Sequence, residues 1–397
     1  MTARLPSPRQ PSGIPARYES PGQCRLNTMG KTNAKHGLGI AAGLVVSAGA
    51  MIWFVKGVDD WGAVWQTIKS LRFDYFLFAL LATLITYMIR AYRWRVFLEP
   101  VKRCGIMNLL SATCIGYMAN CVLPARLGEF IRPGVISRRE KISYVTAFAT
   151  AVIERIFDLV GLFIMLAVTW IALHPDQAAD PAVAENIEKI KRYGVIIVPC
   201  ALAALAGVAV MAIWPGPFLK LAEFFASFLP DFIRFRLMGF VRSVVDAFKV
   251  MTGLREVALV VALSSLWWFV IGASMWFLAL GLDLHIGFFG GCFVSILVGL
   301  AVALPQAPGY LGVFPKAASI AMVVVGCPTD KANAYALVLW TLSVAPITVI
   351  GMAFAWREGL SLGQLAHQDE KLAEKSVEPE GIDGNKGRTE CLSEPSK

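Results

Sequence analysis

NCVLPARLGEFIRP, residues 120–133, interrupts an apolar part of the chain with two prolines and three charged residues, Arg126, Glu129 and Arg132. Proline breaks or kinks a helix, so the segment predicts a broken helix. Charged groups at membrane depth are costly, and those that are kept there usually have a function. We therefore place the candidate functional site at this break and include Asn120, at its start, among the candidate substrate-binding residues.

The rest of the chain is unusually apolar. Of its 397 residues, 56% are hydrophobic and 16% are charged, and the mean hydropathy is +0.60. A membrane crossing needs about 20 mainly apolar residues. Six stretches are near that length, at residues 38–55, 75–98, 144–173, 193–214, 257–280 and 334–356. The sequence therefore predicts an all-α polytopic membrane protein with about six transmembrane helices.

The two ends of the chain are polar. Residues 1–36 are basic and proline-bearing and lack the apolar core of a signal peptide, which predicts a disordered cytoplasmic leader. Residues 361–397 are too polar to bury a core, which predicts a disordered cytoplasmic tail. We expect the integral membrane domain at residues 37–360.

The net charge of +9 does not indicate a nucleic-acid partner, because the basic residues lie mainly in the loops and ends, where the positive-inside rule accounts for them. The eight cysteines include no C-x-x-C pair, and the four histidines have no ligand spacing. We therefore expect no metal, no cofactor and no nucleic acid.

Loop charges predict the orientation. The N-terminus and the loops at 90–103 and 215–255 are basic and should be cytoplasmic, whereas the loop at 174–192 is acidic and should be outside. With this orientation, the apolar runs at 106–123 and 287–326 must each enter and leave the membrane on the same side. This predicts two re-entrant broken-helix hairpins from opposite faces, as in inverted repeats that bind a substrate near the midplane. The alternative is an ordinary first span and one error in the orientation.

The tip of the second hairpin has the sequence LPQAPGYLGVFP at residues 304–315. Pro308, Gly309 and Gly312 break the helix there. Lys316 follows the tip and is the only charged residue between 287 and 326. This lysine either neutralises an anionic substrate from the other side or extends to the interface.

A second charged segment lies in the span at 144–173. Glu154 and Asp158 are spaced i, i+4, so both carboxylates lie on one helix face and need cations or protons as partners. We expect a buried polar cluster of Arg126, Glu129, Arg132, Glu154, Arg155 and Asp158. Either its arginines bind the phosphate of a lipid head group, or the cluster is an ion-paired lock between hairpin and helix.

Arg90, Arg93 and Arg95 alternate with Tyr92 and Trp94 near the end of the second span. Cations interleaved with aromatic rings are typical of a membrane interface, so this pattern predicts an interfacial anchor. The alternative is that Arg93 reaches the polar cluster.

Three motifs carry a resemblance to a known family: LPARLGE at 123–129, E-R-x-x-D at 154–158 and PGYLGVF at 308–314. Together they resemble the lysylphosphatidylglycerol synthase transmembrane-region family, also called the flippase-like domain family, over roughly residues 40–360. In the two-domain synthases of that family, the membrane region moves an aminoacylated lipid between leaflets and a soluble domain carries out aminoacyl transfer.

The resemblance implies a stand-alone lipid transporter without synthase activity, in the bacterial cytoplasmic (inner) membrane with both termini cytoplasmic. Residues 305–312 are most similar to the branch associated with hopanoid biosynthesis. Many relatives have an acidic residue after the glycine-rich tip, where this chain has Pro315 and Lys316. A carboxylate role at the second tip is therefore not carried over.

The sequence thus predicts a flippase-like transporter that moves an amphipathic lipid, anionic or of the polyisoprenoid or hopanoid type, across or within the bilayer. Membrane lipids are the expected partners, and lipid-biosynthesis enzymes and a homodimer are left open. The alternatives are a non-catalytic accessory subunit and a lipid transferase with Glu129, Glu154 or Asp158 as general base. No nucleophile or histidine pair accompanies these carboxylates at membrane depth, so we predict no catalytic residue and no enzyme activity.

Overall fold

The computed structural model describes residues 48–49, 51–58, 60–123, 126–172, 254–303 and 307–360, with single positions between 185 and 238. The regular elements of these residues are helices, which confirms the predicted all-α membrane fold. In chain order they are α1 Trp61–Lys69, α2 Phe73–Leu98, α3 Ile106–Val122, α4 Gly128–Glu140, α5 Tyr144–Ala172, α6 Leu254–Gly281, α7 Gly287–Ala303, α8 Val313–Val324 and α9 Thr329–Arg357. A short 3-10 turn, Pro308–Tyr310, precedes α8.

Among the described helices, three are long and apolar enough to cross a membrane: Phe73–Leu98, Arg255–Gly281 and Thr329–Arg357. Helix α5 coincides with a fourth predicted span and has charged residues in its middle. The predicted spans at 38–55 and 193–214 lie largely outside the described residues, as do the predicted leader and tail. The count of about six spans therefore stays a prediction.

Helices α2–α5 and α6–α9 form two units with matching lengths. The first unit has helices of 26, 17, 13 and 29 residues, and the second has 28, 17, 12 and 29. Helix α2 packs on α6, α3 packs on α9, and α7 packs on α5. The second helix of each unit therefore contacts the fourth helix of the other, as in two related units around a pseudo-twofold axis. The re-entrant course of both hairpins in a membrane stays a prediction.

The breaks between the second and third helices also repeat in sequence. PARLGEFIR at 124–132 and PGYLGVFPK at 308–316 share a proline, a Leu-Gly pair and a phenylalanine in register, and both end in a basic residue. Arg126 and Tyr310 occupy the same position in this repeat and have φ of 56° and 58°. Left-handed backbone is uncommon outside glycine, so its presence at both positions indicates that the two tips are built alike.

Two glycines allow α3 and α4 to pack closely. A Cβ at Gly128 would collide with the carbonyl oxygen of Gly116, and a Cβ at Gly116 would lie 2.7 Å from Cβ of Arg132. Because glycine has no side chain, the two backbones can approach at this crossing. The close approach fixes Arg132 near α5, where its guanidinium lies 2.7 Å from Glu154.

Polar contacts join the C-terminal end of α4 to the first turn of α3 and the loop before it. The carboxylate of Glu140 accepts hydrogen bonds from Asn108 Nδ2 at 2.6 Å and from the backbone N–H of Gly105 at 3.3 Å, and it lies 3.5 Å from Lys102 Nζ. Burial raises the pKa of Glu140, but these hydrogen bonds and the lysine charge outweigh it and lower the pKa below its usual value. The ionised carboxylate therefore fastens the end of the hairpin.

Glu140→Gln is expected to lower the free energy of unfolding at neutral pH by about 1 kcal/mol, because its contacts then lose a charged acceptor. A carboxylate with a lowered pKa stabilises the fold above its unfolded pKa, and this stability is lost as the pH falls through the folded pKa. The melting temperatures of variant and wild type should thus converge as the pH falls below the ordinary glutamate pKa of about 4.3. Thermal unfolding in detergent measures this, and a difference that does not change with pH contradicts the role of Glu140.

Candidate functional site

Five charged side chains meet in the interior of the first unit and are called the charge cluster below. Arg90 and Arg93 lie on α2, Arg132 lies on α4, and Glu154 and Asp158 lie on α5. Spacings of three and four residues put each pair on one face of its helix. All five are buried, with 0% to 7% of their surface exposed.

Arginines from two helices hold Glu154. Arg132 Nη1 donates to Oε2 at 2.7 Å, and Arg93 Nη2 donates to Oε1 at 2.9 Å. Arg90 Nη1 lies 3.6 Å from the same Oε1. Both oxygens of this carboxylate are therefore engaged by cations.

Asp158 is held in the same way. Arg93 Nη2 donates to Oδ1 at 2.5 Å, Arg90 Nη2 donates to Oδ2 at 2.6 Å, and Arg155 Nη1 lies 3.5 Å from Oδ2. Arg93 Nη1 also donates to Ser264 Oγ on α6 at 2.8 Å. The contacts of Arg93 therefore connect α2, α5 and α6.

The charge cluster has three arginines for two carboxylates and so one positive charge in excess. Within the described part of the chain, its guanidinium groups also have buried N–H groups without a hydrogen-bond partner. These are Nε and Nη1 of Arg90, Nε of Arg93, and Nε and Nη2 of Arg132. Buried donors are normally paired, so the combination of excess charge and free donors suits an anionic ligand.

Aromatic rings support two of the arginines. The guanidinium of Arg90 lies 4.1 Å from the ring centre of Trp267 and 5.0 Å from that of Tyr117. The guanidinium of Arg132 lies 3.9 Å from the ring centre of Trp94. The face of an aromatic ring attracts a cation, and this attraction is strongest where water is excluded. The rings therefore help to keep both arginines charged in the interior.

A cavity of about 220 Å³ adjoins the charge cluster and lies between the two units. Arg90 is the one charged residue among the described residues of its lining. Tyr117 lines it too, and the Tyr117 hydroxyl has no hydrogen-bond partner among these residues. The other walls are mainly apolar and aromatic and include Tyr310 and Phe314 near the second break and Ile347 on α9. The cavity therefore joins one cationic group to an apolar space.

The described residues contain no group of three His, Cys, Asp or Glu side chains that could hold a metal ion. The carboxylates of Glu154 and Asp158 are occupied by guanidinium groups instead. The arrangement is thus suited to bind an anion.

The sequence profile of the family described as lysylphosphatidylglycerol synthase TM region matches residues 40–351. The chain belongs to this family. The match includes α1 to α8 and most of α9, and so it covers both units and both breaks. It confirms the resemblance that the three motifs indicated.

Two curated proteins are similar to this family member. The glycosyltransferase AglD of Haloferax volcanii is 25% identical over 288 residues, which are 67% of this chain and 46% of AglD. The UPF0104 membrane protein MJ1078 of Methanocaldococcus jannaschii is 27% identical over 194 residues, which are 49% of this chain and 74% of MJ1078. The chain thus spans less than half the length of AglD. No solved structure matches the chain.

In this lysylphosphatidylglycerol synthase TM region protein, the structure brings Arg132, Glu154 and Asp158 of the predicted cluster together. The other three predicted residues form a more exposed chain of ion pairs beside them. Arg155 Nη2 lies 3.8 Å from Glu129 Oε1, and Arg126 Nη2 lies 3.6 Å from the same oxygen.

The two breaks touch each other. Arg126 Nη1, at the first break, donates to the carbonyl oxygen of Ala303, the last residue of α7, at 3.2 Å. A Cβ on Gly309, at the second break, would lie 3.6 Å from the carbonyl oxygen of Cys121. The carbonyl of Gly309 accepts a hydrogen bond from Trp340 Nε1 at 2.7 Å, which fixes the second break on α9.

The remaining candidate residues lie outside the charge cluster. Asn120 is buried on α3, and its amide oxygen has no partner among the described residues. Pro308 and Gly312 belong to the turn that leads into α8, where Gly312 has φ of 81°. Lys316 lies in the first turn of α8, over an indole ring of another segment.

The predicted interfacial anchor is wrong for Arg90 and Arg93, which are 2% and 0% exposed. Tyr92, between them, is 46% exposed. Two features of the sequence indicate a buried position for these arginines. Arg90 and Arg93 are three residues apart and therefore share a helix face that does not include Tyr92. The two carboxylates on α5 also need cations as partners. Trp267, which supports Arg90, carried no sequence signal that distinguished it from a packing residue.

Proposed function

We propose that the protein is a flippase-like transporter of the cytoplasmic membrane that moves an amphipathic lipid with an anionic head group between the leaflets. Arg90 carries this proposal, because it is a buried cation with unpaired N–H groups and is the one charged residue that the described part of the chain contributes to the cavity wall. A phosphodiester would neutralise the excess charge of the cluster. The hydrocarbon chains of the lipid would contact the apolar walls.

The charge cluster would hold Arg90 ready for its ligand. Asp158 accepts from Nη2, which leaves Nε and Nη1 without a hydrogen-bond partner among the described residues. The two N–H groups lie on different edges of the guanidinium, so either can donate a charge-assisted hydrogen bond to a phosphate oxygen. Tyr117 lines the same cavity and has a hydroxyl without a hydrogen-bond partner among the described residues.

Movement of the two units against each other would open the cavity to one leaflet at a time. Transporters built from inverted repeats work by such rigid-body motion around a central site. The direct contacts between the breaks are few, and the bond from Arg126 to Ala303 is one exposed hydrogen bond. Such a bond contributes about 1 kcal/mol, so the tips can separate without unfolding. The loop charges support cytoplasmic termini in a bacterial inner membrane.

Transport is favoured over catalysis by the state of the carboxylates. Both oxygens of Glu154 and of Asp158 are engaged by arginines, so both buried carboxylates act as ion-pair partners. AglD is named a glycosyltransferase, but the chain matches 46% of that protein. We therefore propose no enzyme activity for the region that the structure describes.

Reconstitution of the purified protein into liposomes tests the proposed function. The liposomes contain one labelled lipid each, either phosphatidylglycerol, phosphatidylcholine, a polyisoprenyl phosphate or a hopanoid. A leaflet-accessibility assay then measures how fast the label changes leaflet. We expect protein-dependent movement of phosphatidylglycerol and the polyisoprenyl phosphate, whose phosphates give them a net negative charge, and none of phosphatidylcholine, because a zwitterion does not supply the net charge that the cluster requires.

Liposomes without protein give the background rate of each lipid. Equal rates for anionic and zwitterionic lipids would contradict the role of the excess charge. If all four lipids change leaflet no faster with the protein than without it, transport is contradicted and a non-catalytic accessory subunit in lipid biosynthesis is favoured.

A further inference from the structure

Lys316 occupies the position in the second unit that Arg132 occupies in the first. Both are the last residue of the nine-residue repeat, and both lie near the start of the helix that follows the break. Both cations also lie over an indole. The guanidinium of Arg132 is 3.9 Å from the ring centre of Trp94, and Lys316 Nζ is 4.4 Å from that of Trp53. The cation at this position thus lies over an indole in both units, although Trp53 itself precedes α1.

The two cations differ in their counter-ions. Arg132 is bonded to Glu154 on α5, whereas α9, the matching helix, has no acidic residue between Asp330 and Glu358. Lys316 forms no ion pair with any other described residue, although it is only partly exposed. A cation that is partly removed from water and lacks a counter-ion costs free energy. An external anion would remove that cost.

The surroundings of Lys316 are fixed by other contacts. A Cβ on Gly57 would lie 3.2 Å from Lys316 Nζ, so the ammonium rests against this backbone. Asn333 Nδ2 donates to the carbonyl of Gly57 at 3.1 Å, and the Ser319 hydroxyl donates to Asn333 Oδ1 at 2.6 Å. The segment that carries Trp53 is thereby held against α8 and α9. The cation and the ring are in place before a ligand binds.

We propose that Lys316 and Trp53 form a second binding site for the phosphate of an anionic phospholipid. The inference rests on the proposed function, because it assigns a second position to the same class of substrate. Trp53 is 59% exposed, and exposed tryptophans in membrane proteins lie at head-group level. The head group would therefore be bound by Arg90 in the first unit and by Lys316 in the second, at opposite stages of its passage.

Native mass spectrometry of the purified full-length protein, titrated with phosphatidylglycerol, counts the anionic lipids that remain bound. We expect two on the wild type, one on Lys316→Gln and two on Lys316→Arg, which keeps the charge. Lys69→Gln is the matched control, because Lys69 Nζ also lies over an indole, 5.6 Å from the ring centre of Trp65 on α1, an amphipathic helix with exposed tryptophans. This control should keep two. Titration with phosphatidylcholine should show no binding that depends on Lys316.

A count of two on Lys316→Gln would overturn the second site. Asp59 lies outside the described residues, and Asp59→Asn should leave the count at two. A count that rises when Asp59 is neutralised would show that the chain supplies its own counter-ion, and this would also overturn the site.

Arg90→Gln separates this inference from the proposed function, because it should remove the other lipid. If the number of bound lipids falls with Arg90→Gln but not with Lys316→Gln, the second site is refuted and the transport site is supported. If the number falls with Lys316→Gln but not with Arg90→Gln, the second site is supported and the transport site is refuted.

Discussion

Arg90→Gln is expected to slow the transport of anionic lipids by about 10- to 100-fold, because a charged hydrogen bond contributes about 1.5–3 kcal/mol. The folded state should persist. Without Arg90, the charge cluster has two arginines and two carboxylates, so its charges balance, and Arg155 still lies 3.5 Å from Asp158. Asp158 loses the bond at 2.6 Å but keeps Arg93 at 2.5 Å. We expect the free energy of unfolding to fall by about 1.5–3 kcal/mol, the contribution of one charged hydrogen bond.

The initial rate in the leaflet-accessibility assay and the melting temperature, measured on the same preparation, check this prediction. Arg95→Gln is the matched control, since Arg95 lies on the same helix outside the charge cluster. Arg90→Lys keeps the charge but cannot donate to Asp158 and to a phosphate in the fixed geometry of a guanidinium, so it should give an intermediate rate. Wild-type transport by Arg90→Gln would refute the site, and failure of Arg90→Gln to fold would assign Arg90 to the structural lock.

The sequence left two interpretations of the polar cluster, and the structure divides them among its residues. Arg93 and Arg132 bind the carboxylates of Glu154 and Asp158, so they join α2, α4 and α5 as a lock would. Arg90 shares in this network but also lines the cavity with free donors. The lock and the proposed anion site are therefore neighbouring parts of one network, and single substitutions should separate them.

The parts of the site that could be predicted are those marked by a pattern within a short stretch of the sequence. Prolines and glycines marked both breaks, and the i, i+4 spacing of Glu154 and Asp158 placed them on one face. Arg90 and Arg93 were assigned to the interface because they lie near the end of a span, before a basic loop. A helical face that packs against a neighbour has the same local pattern as one at the interface. Only the packing of α2 against α5 and α6 distinguishes the two cases.

The internal repeat was also hard to recognise from sequence. Two nine-residue segments that share a proline, a Leu-Gly pair and a phenylalanine do not stand out among many apolar residues. The matched helix lengths and the left-handed residues Arg126 and Tyr310 set the register. The cavity carries no local signal at all, since its walls come from helices far apart in the chain.

Glu154→Gln is expected to destabilise the protein more than any other single substitution in the charge cluster. It leaves Arg90, Arg93 and Arg132 facing Asp158 alone, so the excess of positive charge doubles. Glu154 is 0% exposed, and water therefore does not take its place. Removal of one partner from a buried ion pair costs about 3–5 kcal/mol. We expect a large fall in melting temperature and a low yield of folded protein.

Thermal unfolding of purified protein in detergent measures the loss, and a second substitution tests its cause. Arg132→Gln in the same chain removes one cation and returns the cluster to the wild-type excess of one charge, so the double variant should regain part of the lost stability. The coupling free energy follows from the double-mutant cycle. Glu154→Asp, which keeps the charge on a shorter side chain, should lose less than Glu154→Gln. A Glu154→Gln protein that unfolds at the wild-type temperature would show that the carboxylate does not stabilise the fold as the central partner of these arginines.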